Sequence, residues 1–109
     1  KLAPLLMVSE VRTIAADELW MSPFYRRDSV GFHFSFVLDS DAVLERLPTL
    51  DAALARFAPR PHWGKVFTMA PADVRRQYPR LNDFHALALA HDPGGKFRNA
   101  YVDRVLFGP

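Results

Sequence analysis

Hydrophobic and polar residues alternate most strictly in SVGFHFSFVL, residues 29–38. Val30, Phe32, Phe34, Phe36 and Leu38 fall on one side and Gly31, His33, Ser35 and Val37 on the other. A period of two predicts a strand with one apolar face. Residues 7–14, MVSEVRTI, mix β-branched and charged residues without helical periodicity, which predicts an earlier strand whose even positions, Val8, Glu10, Arg12 and Ile14, share a face. A loop carrying Pro23 and the charged cluster Arg26, Arg27 and Asp28 joins the two. In DSDAVLERLPTLDAALARF the positions Val43, Leu47, Leu50, Leu54 and Phe57 recur at steps of four and three, one stripe of a helix. Ser40 or Asp39 is its candidate N-cap, and Pro48 either kinks it or starts a second helix.

After the connection APRP, the segment HWGKVFTM reads as a third strand in which Trp63, Lys65, Phe67 and Met69 point the same way. PADVRRQYPRLNDFHALALAHD then returns to helical character, in two pieces because Pro79 removes a donor. Its buried stripe is Leu81, Phe84 and either Leu87 or Ala88. DPGGKF supplies turn chemistry, and RNAYVDRVLF reads as a short strand or extended tail. The order of elements predicts one α+β domain, an antiparallel sheet with helices packed on one face.

Composition narrows the function classes. The chain has 109 residues, half of them hydrophobic, which suits one small core. Its 14 Lys and Arg are interspersed with 12 Asp and Glu, so the pI of 9.3 reflects no basic patch and no nucleic-acid partner is expected. The absence of cysteine excludes disulfides and thiolate chemistry and suits a reducing, cytoplasmic setting. No apolar run reaches the ~20 residues of a membrane helix, so no membrane partner is expected. The opening KLAPLLMVSE has neither a signal-peptide layout nor an initiator Met, and reads as cut from something longer. The four histidines, His33, His62, His85 and His91, show no paired spacing, and no metal site is expected. No serine sits in a nucleophile-elbow context, and Gly94-Gly95 looks like a helix stop rather than a phosphate cradle.

The candidate chemistry lies on the polar side of the sheet. Glu10 and Arg12 are two residues apart, on one face and about 7 Å apart along the strand. A carboxylate acceptor beside a five-donor guanidinium suits neighbouring hydroxyls of a polyol or sugar, although a solvated ion pair would look the same in sequence. The Glu10 pKa beside Arg12 should be low rather than raised. If the phenylalanine face of the second strand packs on helices, His33 and Ser35 face the other way. Lys65 shares its predicted face with Trp63 and Phe67, so it must snorkel, pair with an acid or meet an anionic ligand. Either those aromatics wall a pocket, or a bulge near Gly64 breaks the alternation.

The motifs SEVRTIAADELWMSP, FHFSF, RPHWGKVFTM, YPRLNDF and DPGGKFRNAYVDRVL, in that order and spanning nearly the whole chain, resemble the C-terminal part of the alditol (xylitol) oxidases. These are grouped with the sugar-1,4-lactone oxidases in the vanillyl-alcohol-oxidase superfamily of flavoenzymes. The resemblance implies that residues 1–109 form a cap or substrate-binding domain, with FAD held mainly by an N-terminal domain outside this chain. It implies substrate-binding roles for Glu10, Arg12, His33, Ser35 and Lys65, catalytic roles for Lys65, Arg12 and Glu10, and a place near the cofactor for Lys65 and His62. Ser35 stands where a threonine is expected. The implied reaction is hydride transfer from a carbinol carbon to flavin, with O2 reduced to hydrogen peroxide. The alternatives are an aldonolactone oxidase or dehydrogenase of the same superfamily, and a non-catalytic binding or dimerisation module. As an isolated fragment the chain is expected to be inactive and prone to self-association through its uncovered sheet.

Overall fold

The computed structural model describes residues 2–108 and bears out the α+β class. A 3-10 turn, Ala3–Leu5, leads into strand β1, Leu6–Ile14, which pairs antiparallel with β2, Ser29–Phe36. In this register Glu10 lies opposite His33, Arg12 opposite Gly31 and Val8 opposite Ser35, while Val11 meets Phe32 and Ser9 meets Phe34. Residues directly opposite share a face, so alternation on the two strands agrees. Met7 is the extra residue of an irregularity between Leu6 and Val8, where the polar face ends.

Helix α1, Ser40–Leu54, begins as the periodicity predicts. Asp39 is its N-cap, the carboxylate accepting from the Ala42 amide at 3.1 Å. The helix runs through Pro48 without ending, at the cost of one backbone donor. Val43 and Leu47 are buried, and Leu50 and Leu54 partly so. Phe57 leaves the stripe and is exposed: the chain tightens to a 3-10 turn at Ala55–Phe57, and the change in residues per turn rotates the ring away.

Residues 62–69 correct the predicted third strand. His62 to Lys65 is a turn, with the Lys65 amide donating to the His62 carbonyl at 3.0 Å and the Gly64 amide to His62 Nδ1 at 3.0 Å. Trp63 drives it. Its ring lies 4.7 Å from that of Tyr78 and its indole N–H donates to the Met21 carbonyl at 2.7 Å, so tertiary packing overrides alternation. Helices α2, Pro71–Arg76, and α3, Leu81–His91, flank Pro79 as predicted, with Leu81 buried and Phe84 and Ala88 partly buried.

The tail is the second correction. Residues 100–107 are neither strand nor extended: Ala100–Val102 form α4, which continues as a π-helical turn over Asp103–Phe107. Asn99 caps it, accepting from the Val102 amide at 2.9 Å. In a strand the neighbours Val105 and Leu106 would point to opposite faces, yet both are buried. Helical spacing pairs Tyr101 with Val105 and Val102 with Leu106, four residues apart.

These helices make the core. Val74, Tyr78, Leu81, Val105 and Leu106 form one buried cluster, with Trp63, Phe67, Met69, Phe84 and Met21 packed against it. Among the described residues, no strand residue belongs to it. On the phenylalanine face of the sheet, Phe34 and Phe36 are partly buried, whereas Val11, Val30 and Phe32 are exposed. The β1–β2 connection, residues 15–28, is what ties the hairpin to the helical half. Arg60 donates to the carbonyls of Pro23 and Tyr25 at 3.2 and 2.9 Å, Arg27 to Ala58 at 3.0 Å, and Trp63 to Met21. Tyr25 is buried there, and Asp17 holds the Ser22 hydroxyl at 2.5 Å.

Candidate functional site

The polar face of the hairpin carries four of the candidate residues side by side. Glu10 and His33 form one cross-strand pair, with Arg12 two residues along β1 and Ser35 two residues along β2 in the opposite sense. Arg12 Nη2 donates to Glu10 Oε2 at 2.7 Å, and His33 Nδ1 lies 3.3 Å from the same oxygen. A carboxylate can only accept, so Nδ1 carries the proton in this contact. The side chains of Arg12, His33 and Glu10 are 69, 48 and 41% exposed, so the cluster stands open to a ligand.

The Glu10 carboxyl titrates below the ordinary glutamate range, first because of the His33 hydrogen bond and next because of the Arg12 charge. The low value expected from Arg12 holds, and the larger contribution comes from a residue that the sequence did not connect to Glu10. Glu10 is therefore an acceptor across the neutral range, not a proton donor.

Two neighbours shape the face. Gly31 puts no side chain opposite Arg12, and the Ile14 δ-methyl lies 2.9 Å from where a Cβ would stand, filling that rung with a methyl group. Val8, opposite Ser35, supplies the apolar border at the other end. Ser35 Oγ makes no hydrogen bond among the described residues, so its hydroxyl is available.

Lys65 and His62 lie elsewhere, on the turn beside Trp63. With no strand there, alternation no longer sets Lys65 next to Trp63 and Phe67: Trp63 and Phe67 pack on the core while Lys65 is exposed. The alternation does break at Gly64, by a turn rather than a bulge. Among the described residues the Lys65 ammonium has no side-chain partner and no bond to the sheet cluster. His62 is exposed, and its Nδ1 serves the turn by accepting from the Gly64 amide. A Cβ on Gly64 would meet the His62 ring at 3.4 Å, an ordinary contact, so the glycine leaves no special space for a ligand.

The concavities do not coincide with the cluster. One of about 400 Å³ lies against Arg75, Arg76, Tyr78, Asn82 and His85, and one of about 350 Å³ between Asp51, Met69, Asp73 and Gln77. The Glu10–Arg12–His33 face is a flat platform rather than a pocket. It can grip one side of a ligand and needs a second wall to enclose it. Among the described residues no group of three His, Asp or Glu could hold a metal ion, and no helix is long and apolar enough to cross a membrane. Sequence reasoning missed Arg60, whose two carbonyl contacts fix the connection that aims the hairpin. Its place in APRP, between two prolines, marked only a connection.

A family model described as D-arabinono-1,4-lactone oxidase matches residues 5–105. An alditol oxidase from a Streptomyces species is 52% identical over 106 residues, covering 97% of this chain and 26% of that protein. An L-gulono-1,4-lactone dehydrogenase from Mycobacterium tuberculosis is 32% identical over 108 residues, covering 97% of this chain and 24% of the relative. An L-gulonolactone oxidase from Mus musculus is 28% identical over 101 residues, covering 90% and 23%. The chain thus spans about a quarter of the length of the curated relatives it matches.

Proposed function

The chain belongs to the D-arabinono-1,4-lactone oxidase family, and from that membership we propose that it is the substrate-binding part of a longer flavin-dependent oxidase acting on a terminal hydroxyl of an alditol. On this reading residues 1–109 are the C-terminal cap, and the domain that holds FAD lies outside them. The observation that carries it is the open Glu10–Arg12–His33 cluster, in which acceptor and donors are held by paired backbone at a spacing that suits adjacent hydroxyls.

The described residues offer only a partial fit to the cofactor. The exposed Lys65 ammonium, without a side-chain partner, suits an electron-rich oxygen or an anionic ring, whereas nothing here resembles a cradle for a pyrophosphate. Lys65 is the residue of this chain we assign towards the flavin. His62 is the weaker candidate, because the turn already uses its Nδ1. The flavin, when bound, supplies the hydride acceptor and the route to oxygen.

The chain's own residues bind and bias charge. Glu10 accepts from one substrate hydroxyl through Oε1, and the remaining Arg12 donors reach the next oxygen. Ser35, one rung along, takes a hydroxyl about 7 Å further on, which matches an extended polyol better than a compact ring. Lys65 and Arg12 favour the reacting oxygen as it loses its proton. Tested on xylitol, sorbitol and gulono-1,4-lactone, the full-length flavoenzyme is expected to turn over the alditols best. The second reading, an aldonolactone oxidase or dehydrogenase, is favoured by the family model and the gulonolactone relatives. A preference for the lactone in that panel selects it and overturns the first.

A further inference from the structure

Glu10 Oε2 is occupied twice, by Arg12 Nη2 at 2.7 Å and by His33 Nδ1 at 3.3 Å, while Oε1 has no partner among the described residues. Arg12 alone cannot fix this carboxylate. It is a flexible neighbour on the same strand, and a guanidinium can approach either oxygen or both. His33 approaches from β2, directly across the ladder, so it adds a contact whose direction the backbone pairing sets. Two donors converging from two strands on one oxygen leave the carboxylate little freedom to exchange its oxygens.

We propose that His33 is a positioning residue for the ligand site: through Nδ1–H it holds Glu10 Oε2 together with Arg12, and so reserves Oε1 as the acceptor for a ligand hydroxyl. This rests on the proposed function for the identity of the ligand, but the His33–Glu10 contact belongs to the chain itself. The titratable and charged groups facing His33 among the described residues are Glu10 and Arg12 of β1. On its own strand the same-face neighbours, Gly31 and Ser35, carry no charge. The role needs a donor at the Nδ1 position rather than an imidazole. An asparagine places its amide nitrogen near there; a leucine offers no donor.

Two measurements test this separately. The chain has three glutamates, Glu10, Glu18 and Glu45, so selective 13C labelling of glutamate carboxyls gives three titrations, with Glu10 assigned by Glu10→Gln. The Glu10 midpoint is expected below the ordinary glutamate value, to move up in His33→Leu and to stay low in His33→Asn. An unchanged midpoint in His33→Leu overturns the proposal. In the full-length flavoenzyme, His33→Leu is expected to raise KM about tenfold with kcat little changed, and His33→Asn to restore it. If His33→Asn is as impaired as His33→Leu, the imidazole itself contacts the ligand and the positioning role is wrong. A wild-type flavoenzyme that oxidises neither polyol nor lactone would sink the proposed function instead, and the carboxyl titration would still decide the role of His33.

Discussion

Phe32, in the hairpin, is 55% exposed, and Tyr78, in the helical half, is 2% exposed. Phe32 lies on the alternating apolar face that the sequence offers as core, whereas Tyr78, in the break beside Pro79, belongs to no stripe and is nevertheless the buried one. In the helical half, α2, α3 and the π-helical turn after α4 bring Val74, Leu81, Val105 and Leu106 around Tyr78, and burial pushes the tyrosine hydroxyl well above its ordinary pKa. In the hairpin each strand is well paired with the other, but one face carries exposed Val11, Val30 and Phe32 and the other carries Glu10, Arg12 and His33. A two-stranded sheet is marginal by itself. Its placement depends on the 15–28 connection and the Arg60, Arg27 and Trp63 contacts, so the helices act as a base and the hairpin as a presented surface.

That division can be broken by mutation. Leu81→Ala empties a packed site and should cost about 2–5 kcal/mol in denaturant unfolding, a large share of what a domain of this size holds. Trp63→Phe keeps an aromatic ring beside Tyr78 but leaves the Met21 carbonyl without its donor, an expected loss of about 1–3 kcal/mol. Hydrogen exchange should then quicken selectively in residues 15–28, and uniform acceleration would mean the connection is not what anchors the hairpin. Asn99→Ala removes the α4 cap and should cost about 1 kcal/mol. Phe32→Ser, at the exposed sheet face, should stay within about 0.5 kcal/mol of the parent chain. A loss from Phe32→Ser as large as that from Leu81→Ala would show that the face is covered after all and end the comparison.

The sequence was legible where local pattern and final packing agree. Alternation in β1 and β2 gave both faces correctly, because each strand's register was enforced by the other. The stripe Val43, Leu47, Leu50 and Leu54 was readable for the same reason. It failed at Phe57, where a change of helix type that no spacing announces turns the ring outward. The alternation of residues 62–69 was real but irrelevant: Trp63 found Tyr78, a partner distant in sequence, and the chain turned at Gly64 to allow it. The tail reads as a strand because its aromatic and β-branched residues suit one; only with Asn99 as a cap does a helical turn emerge that buries both neighbours, Val105 and Leu106. Of the site, Glu10, Arg12, His33 and Ser35 were placed together by face alone. The shared Oε2 of Glu10 depends on cross-strand register, which a single strand's pattern does not contain. Lys65 lost its geometric argument with its strand, and the role proposed for it rests on the family and on an ammonium without a side-chain partner among the described residues.

On the proposed function, the open polar face and not the helical concavities binds the substrate. Arg12 is its most exposed charged member, so Arg12→Ala in the proposed full-length flavoenzyme separates binding from folding. Measured together on one preparation, kcat/KM for the alditol is expected to fall by about 100-fold or more while the melting temperature stays within about 2 °C of wild type. Near-normal kcat/KM, or a loss of activity matched by a collapse in melting temperature, would contradict it.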